Sequence, residues 1–175
     1  GIMDITGDPA GEPTRLGVAF ADVFTGTYSA LAITAALKER EHTGKGAHID
    51  MALMDSMVGV LANQATYYLV SGKAPVRMGN AHASVVPYQT FPTTDGWMLI
   101  ACGNDGQFVK MMQILGDPAM AQDERYKTNA GRVVNRETLI PRLFELTKKL
   151  SKAELAEKFE AAGVPAGPIN TLREV

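Results

Sequence analysis

The stretch from Gly17 to Ala36 constrains the fold most strongly, because it is almost entirely apolar and carries a single charge, Asp22. A helix that is apolar on all sides is typically buried, so the first turns are expected inside the protein. Aspartate is rarely fully buried unless it is paired or used. Asp22 can therefore be a helix N-cap, which accepts from the backbone N–H of Phe24 or Thr25, or a reactive carboxylate. The residues alone favour the N-cap.

The composition is that of an ordinary globular protein and argues against several classes of function. Of the 175 residues, 46% are hydrophobic and 21% charged, with a net charge of −2. This balance predicts no surface for nucleic acid or an anionic membrane. Polar residues interrupt the apolar segments before the length of a membrane span, so no membrane partner is expected. Cys102 stands alone and the histidines lack metal-ligand spacing, so we expect no disulfide, no metal and a reducing compartment, the cytoplasm.

The first 77 residues alternate between short strands and apolar helices. A strand is predicted over Val18–Phe20, and a helix from about Asp22 to Glu41. After a turn at Thr43–Gly46, the segment Ala47–Leu53 alternates apolar and polar side chains as a strand does. This order of elements continues with a second apolar helix.

The second helix is predicted to begin with Asp55 or Ser56 as its cap, to reach about Val70 and to end at Gly72. The order strand, helix, strand, helix with short connections is typical of a parallel, Rossmann-like α/β layer. Two strands are too few for a complete sheet. The chain also begins without Met and stops within an apparent new helix, so we expect a piece of a longer chain.

From residue 78 onward the pattern changes to that of a small α+β domain. Two β-rich runs, Val85–Phe91 and Trp97–Cys102, are joined by a turn containing Asp95-Gly96, which is a strong hairpin signal. Residues 164–169 are expected to add a third strand to an antiparallel sheet. Amphipathic helices are predicted over about residues 104–116, 136–150 and 151–163, the last opened by a capping box.

Gly79, Asn80, Ala81 and His82 form a short loop between a linker and the hairpin, close to the boundary of the two predicted domains, residues 1–77 and 78–175. A small, glycine-containing loop can approach a ligand closely or move as a lid. It can equally be an ordinary connection between domains, and the residues alone favour that interpretation because no second signal accompanies them.

Several segments resemble the class III CoA-transferases, the CaiB/BaiF family. The resemblance covers essentially the whole chain and rests on the segments ADVFTG, HTGKG, IDMAL, MGNAHASVVPYQTFPTTDGWMLIACGNDGQF and GVPAGPIN. Chains of that family are much longer than this one. The resemblance implies that residues 1–77 are part of a large α/β domain, that residues 78–175 are the small domain, and that the complete enzyme is a homodimer.

The resemblance also implies a catalytic role for Asp22, which matches the nucleophile of the transferases. In that family the carboxylate attacks the thioester of an acyl-CoA, and CoA then attacks the mixed anhydride to give an aspartyl-CoA thioester. Coenzyme A is thus implied as part of the acyl-CoA substrate, and a carboxylic acid as the acceptor. This outweighs the N-cap interpretation, although Asp22 can serve both roles.

Two alternatives stay open. A 2-methylacyl-CoA racemase of the same family would use Asp22 as an acid or base at the α-carbon. The racemases tend to have extra glycines where this chain has Val23–Gly26, which favours the transferase. An inactive structural or assembly module is the alternative from another class. The oxalate-specific members carry a glycine-rich lid where this chain has Gly79–His82, so their substrate is not implied.

Overall fold

Three helices form the regular structure of the first of two units, residues 1–79. They are α1 (Phe20–Thr43), α2 (Leu53–Val60) and α3 (Ala62–Ser71), in a computed structural model that describes all of residues 1–175. Helix α1 packs against α2. Helix α1 ends at Gly44 and α3 at Gly72, each with φ near +70°, where glycine has no Cβ to clash. The predicted helix end at Gly72 is confirmed.

Neither of the two strands predicted in this unit is present. Phe20 already belongs to α1, and residues 47–52 have no regular secondary structure, although Ala52 has extended backbone angles. A strand needs a neighbour to exchange backbone hydrogen bonds, and this unit offers none. A parallel, Rossmann-like layer therefore does not form within these residues.

Helix α1 exposes its apolar side chains. None of its 24 residues is buried, and Val23, Leu31 and Leu37 are each more than half exposed. The expectation that its first turns lie inside the protein is wrong for this chain, because α2 covers only one side of the helix. By length and hydropathy α1 also meets the criteria for a membrane span, contrary to the expectation from the sequence, although core helices of soluble proteins meet them too.

The second predicted helix is divided in two. Helix α2 begins at Leu53 with Ala52 as its N-cap and no side-chain cap, so the predicted cap at Asp55 or Ser56 is wrong. The division falls at Leu61 and Ala62, where Ala62 has φ +43°. This left-handed conformation is unusual for a residue with a Cβ. Because neither Gly nor Pro marks the break, the sequence pattern does not reveal it.

The second unit, residues 80–175, contains a three-stranded antiparallel sheet, as predicted. Its strands are β1 (Tyr88–Thr93), β2 (Gly96–Ala101) and β3 (Ala166–Pro168), in the order β1-β2-β3. Thr93 pairs with Gly96 across the hairpin, and Leu99 pairs with Gly167. The hairpin signal at Asp95-Gly96 is confirmed.

Four helices and one 3-10 helix complete the second unit. The α-helices are α4 (Asp105–Ile114), α5 (Asn129–Val134), α6 (Arg136–Thr147) and α7 (Lys152–Ala162), and the 3-10 helix is Pro118–Gln122. Asn104 caps α4 by accepting from the Gln107 N–H, and Ser151 with Glu154 forms the predicted capping box of α7. Helix α5 and the 3-10 helix were not predicted, because they are too short to show a periodic pattern.

The two faces of the sheet differ in burial. On one face Phe91, Met98 and Ile100 are fully buried against the helices. On the other face alternate residues of the same strands, Tyr88 and Thr90 on β1 and Trp97 and Leu99 on β2, are only partly covered. Trp97 is 51% exposed and Tyr88 37% exposed. We refer to Tyr88, Thr90, Trp97 and Leu99 as the open sheet face.

Candidate functional site

Asp22 lies in the first turn of α1 as its third residue, and its side chain is exposed. Ala19 occupies the N-cap position, and no side chain caps the helix. The N-cap interpretation of Asp22 is therefore wrong, because the helix begins two residues earlier than predicted. The ion pairs of this unit join Lys38 with Glu41 and Arg77 with Asp4, so Asp22 has no ionic partner. A carboxylate in a first helical turn is favoured by the helix dipole.

A shielded hydroxyl group without a partner lies one turn after Asp22. Thr25 Oγ1 is buried and forms no hydrogen bond. Every other Ser or Thr of α1 donates to the carbonyl four residues earlier, namely Thr27, Ser29, Thr34 and Thr43. Residues three apart share a helix face, so Thr25 is a hydrogen-bonding group near Asp22. Nothing in the sequence distinguishes Thr25 from the other hydroxyl residues.

Apart from Thr25, the helix surface around Asp22 carries apolar side chains or, at Gly26, no side chain. The rings of Phe20 and Phe24 lie 4.6 Å apart between centroids, and those of Phe24 and Tyr28 lie 6.0 Å apart. A Cβ added to Gly26, one turn after Asp22, would meet no atom within 4 Å. Gly26 is thus not required by any packing contact within this chain, and it leaves the backbone beside Asp22 open to approach.

Asp22 does not line either of two cavities in the first unit. One, of about 350 Å³, is lined mainly by apolar residues that include Ile5, Val58, Leu61 and Tyr68. The other, of about 330 Å³, is lined by Tyr28 of α1 and by residues 50–59, including Asp50 and Asp55. No group of three or more His, Cys, Asp or Glu side chains is arranged to hold a metal ion.

The predicted loop Gly79–His82 is divided between the two units, and each part is held within its own unit. Gly79 has φ +58°, and its N–H donates to the Gly7 carbonyl at 2.9 Å. In the second unit the Asn80 side-chain amide donates to Thr90 Oγ1 at 3.0 Å, and the His82 N–H donates to the Tyr88 carbonyl at 2.9 Å. Residues 80–82 are therefore attached to β1 at the open sheet face.

The imidazole of His82 is fixed by its own hydrogen bonds and by stacking. Its Nδ1 accepts from the backbone N–H of Ser84 at 3.2 Å and from that of Val85 at 3.1 Å. The ring stacks on Tyr88, with 5.1 Å between centroids and 12° between planes. A ring nitrogen that accepts hydrogen bonds carries no proton, so the proton of the neutral ring is on Nε2.

Two residues distant in sequence hold the rest of this segment. The Arg136 guanidinium donates to the carbonyls of His82 at 3.1 Å and Ala83 at 3.0 Å. The Asn129 side chain donates to the Ser84 carbonyl at 2.8 Å and accepts from the Val86 N–H at 3.0 Å. Neither residue can be assigned to this segment from the sequence, because no local pattern links positions about fifty residues apart.

The buried polar groups of the second unit are structural. Arg132 is fully buried, donates to the carbonyls of Val86 and Tyr126, and forms an ion pair with Asp105 at 2.8 Å. Burial raises the pKa of the Cys102 thiol to about 12. Cys102 is therefore not a thiolate at neutral pH and is not a candidate nucleophile.

Comparisons with known proteins give a consistent picture. The family model described as CoA-transferase family III matches residues 1–175. The succinate–glutarate CoA-transferase of Agrobacterium fabrum is 49% identical over the whole chain, and the succinyl-CoA:glutarate CoA-transferase of Homo sapiens is 43% identical. The crystal structure of a CaiB/BaiF family protein from Brucella suis superposes with a TM-score of 0.90 at 57% identity and covers all of this chain.

The chain is shorter than each of these proteins. It spans 44% of the Agrobacterium protein, 40% of the human protein and 46% of the Brucella chain. Both named relatives are CoA-transferases. With a family model that matches from the first residue to the last, this chain belongs to CoA-transferase family III.

Proposed function

We propose that the protein containing these 175 residues moves CoA from an acyl-CoA donor to a carboxylic acid acceptor, with Asp22 as the nucleophile. One observation carries the proposal: the carboxylate at the family's nucleophile position is exposed in the first turn of α1, with no cap role and no ionic partner. Such a carboxylate is free to attack a thioester.

The reaction proceeds through two anhydrides. The Asp22 carboxylate attacks the acyl carbonyl of the donor and expels CoA thiolate, and the thiolate then attacks the aspartyl carbonyl. This releases the donor acid and leaves an aspartyl-CoA thioester. The acceptor carboxylate attacks that thioester and expels the thiolate again, which attacks the acceptor carbonyl of the second anhydride. The products are the acceptor acyl-CoA and free Asp22, so the activation of the acyl group is conserved throughout.

The relatives suggest the class of acids involved. Their names pair succinate or succinyl-CoA with glutarate, both dicarboxylic acids. We therefore propose short dicarboxylates as donor and acceptor for this protein. The substrate-facing loop would be Gly79–His82, of which residues 80–82 are held by β1.

The architecture of the complete protein follows from the same proposal. Residues 1–77 would belong to a large α/β domain and residues 78–175 to the small domain. The unpaired segment 47–52 and the exposed apolar side of α1 would be covered by parts of the family's length that this chain does not span. We expect the complete enzyme to be a cytoplasmic homodimer.

The nucleophile is tested by trapping in a protein of full family length that carries these residues. Incubation with succinyl-CoA in the absence of acceptor, followed by hydroxylamine or borohydride, should modify the peptide containing Asp22. Asp22→Asn should abolish turnover, because an amide cannot form the anhydride. Its matched control is Asp55→Asn, since Asp55 is likewise the third residue of an uncapped helix, and this variant should retain activity.

Transferase activity near wild type in Asp22→Asn would remove Asp22 from the mechanism. The racemase alternative is tested separately by incubating a 2-methylacyl-CoA in heavy water without an acceptor acid. Incorporation of deuterium at the α-carbon would indicate the racemase, and its absence together with trapping at Asp22 would indicate the transferase.

A further inference from the structure

We propose that His82 and Arg136 form a binding site for a carboxylate group of the acid substrate. The proposal rests on the proposed function for the identity of the substrate, but its residues lie in the second unit and do not involve Asp22. His82 belongs to the predicted loop Gly79–His82, whereas no sequence pattern indicates a role for Arg136.

The hydrogen bonds and the stacking of the His82 ring fix the direction of its Nε2 donor. Because Nδ1 accepts from the N–H groups of Ser84 and Val85, the proton of the neutral ring is on Nε2. The stack on Tyr88 fixes the plane of the ring. His82 is exposed, so Nε2–H is a donor whose direction is set before any ligand arrives. A donor ordered in advance costs little entropy on binding.

Arg136 carries a positive charge that no ion pair of this unit neutralises. Arg125, Arg132 and Arg142 of this unit each pair with an aspartate. Arg136 is half-buried and its terminal nitrogen bonds only to the carbonyls of His82 and Ala83. These contacts leave its positive charge without an anion and several of its five N–H groups unused. Guanidinium groups match the geometry of a carboxylate closely.

The residues around His82 include part of the open sheet face. The Asn80 side chain bonds to Thr90 on the open sheet face, and the ring of His82 lies on Tyr88 of the same face. Leu99, which pairs with Thr90 across the two strands, adds an apolar side chain next to these residues. A short dicarboxylic acid has a carboxylate at each end of an apolar stem, so one carboxylate can bind to His82 and Arg136 while the stem contacts this surface. The free N–H groups of the guanidinium and the Nε2–H donor also match the planar pair of oxygens of a carboxylate.

Nuclear magnetic resonance on the 175-residue chain tests the site without requiring catalysis. We expect the ¹⁵N spectrum of His82 to show a protonated Nε2 and an unprotonated Nδ1. Titration with succinate should shift the Nε2–H signal saturably, and inorganic phosphate at equal ionic strength should not. The proposal is overturned if succinate causes no saturable shift, or if phosphate causes the same shift.

Paired substitutions separate binding from loop structure. In His82→Asn the side-chain oxygen replaces Nδ1 as the acceptor for Ser84 and Val85, but the Nε2 donor is lost. In His82→Gln a terminal N–H replaces the Nε2 donor, but the Nδ1 acceptor is lost. We expect His82→Asn to keep the amide signals of Ser84 and Val85 and to bind succinate at least about tenfold more weakly, with His82→Gln less affected. Wild-type affinity in His82→Asn would contradict the proposal.

The contribution of Arg136 is tested against a second arginine of the same helix. Arg136→Gln should weaken succinate binding at least about tenfold, whereas Arg142→Gln, with the same change of charge on α6, should not. Equal effects of the two variants would show that only net charge matters and would overturn the site.

Kinetics in a protein of full family length add a readout that loop structure alone would not change. His82→Asn should raise the KM for the acceptor acid about tenfold or more and leave the KM for the acyl-CoA donor unchanged. If the wild-type protein shows no transferase activity, the proposed function fails while the succinate titration still decides the carboxylate site. A wild-type KM for the acid in His82→Asn would overturn the proposal.

Discussion

Asp22 and Thr25 lie on the same face of α1, but their polar groups differ in exposure to solvent. The Asp22 carboxylate is exposed and unpaired, whereas the Thr25 hydroxyl three residues later is shielded and unpaired. An exposed charge is solvated by water at no cost. A buried hydroxyl without a partner is destabilising, because it has lost water and gained no hydrogen bond.

Replacing the Thr25 hydroxyl by a methyl group should therefore stabilise this chain. We expect Thr25→Val to raise the free energy of unfolding by about 1 kcal/mol, which is the order of the cost of an unsatisfied buried polar group. Denaturant unfolding measures the change. The control is Thr27→Val, which loses a real bond to the Val23 carbonyl and should give no gain. A destabilised Thr25→Val would mean that the hydroxyl has a partner.

At the scale of elements, the division between α2 and α3 places strain on one alanine. Ala62 has φ +43°, a conformation that costs roughly 1–2 kcal/mol for a residue with a Cβ and little for glycine. Ala62→Gly is therefore expected to raise the stability of the first unit by about 1 kcal/mol. Thermal unfolding followed by circular dichroism is the measurement.

A second alanine in α3 provides the control for this prediction. Ala65 lies within α3 and is not among the residues of positive φ, so Ala65→Gly should lower stability by roughly 0.5–1 kcal/mol. A similar loss of stability in Ala62→Gly and Ala65→Gly would show that Ala62 is an ordinary helical residue and that α2 and α3 form one continuous helix.

The capping box of α7 makes part of the stability of the second unit depend on pH. Hydrogen bonds from the Ser151 backbone N–H and hydroxyl to Glu154 hold the pKa of Glu154 below its usual value of 4.5. A carboxylate whose pKa is lower in the folded state than in the unfolded state stabilises the fold at pH values above its unfolded-state pKa. This stabilisation is lost as the pH falls through the folded-state pKa. The side chain at this position cannot titrate in Glu154→Gln. The free energy of unfolding of wild type should therefore exceed that of this variant by an amount that decreases as the pH is lowered from about 6 to about 3.

Chemical denaturation at several pH values measures this effect. Ser151→Ala provides the structural comparison and should cost about 1 kcal/mol at neutral pH, because the Glu154 N–H loses its acceptor. A difference between wild type and Glu154→Gln that stays constant with pH would show that the Glu154 carboxylate does not gain from these bonds.

At the scale of the whole molecule, the two units differ in how completely they bury their apolar side chains. The second unit has a core in which Phe91, Met98 and Ile100 are fully shielded, whereas no residue of α1 is buried in the first. Local opening is easiest where few buried contacts protect the backbone. The second unit is therefore expected to be the more stable of the two in this chain.

Hydrogen exchange in the monomeric chain tests this difference. The amides of β2, Gly96–Ala101, pair with β1 and β3 and should exchange more slowly than those of residues 47–52, which have no strand partner. Slower exchange over residues 47–52 in a demonstrated monomer would contradict the proposed order of stability. Such a result would mean that this segment has a partner within the chain.

The features that could be predicted from the chain alone are those set by neighbouring residues. The Asp95-Gly96 hairpin, the Ser151–Glu154 capping box and the helix end at Gly72 each depend on a few consecutive side chains. The neighbouring residues also identify Asp22 as a candidate nucleophile, because it is the single charge in a long apolar stretch and its motif resembles that of the transferase nucleophile.

Tertiary structure decided the features that need a distant partner. The extended segment at residues 47–52 is not a strand, because backbone hydrogen bonds require a neighbour that this unit lacks. The His82 segment is held by Arg136 and Asn129, which approach it only after folding brings α5 and α6 to the start of β1. The periodicity of apolar residues indicates which side of a helix or strand is apolar, but it carries no information about what packs against that side.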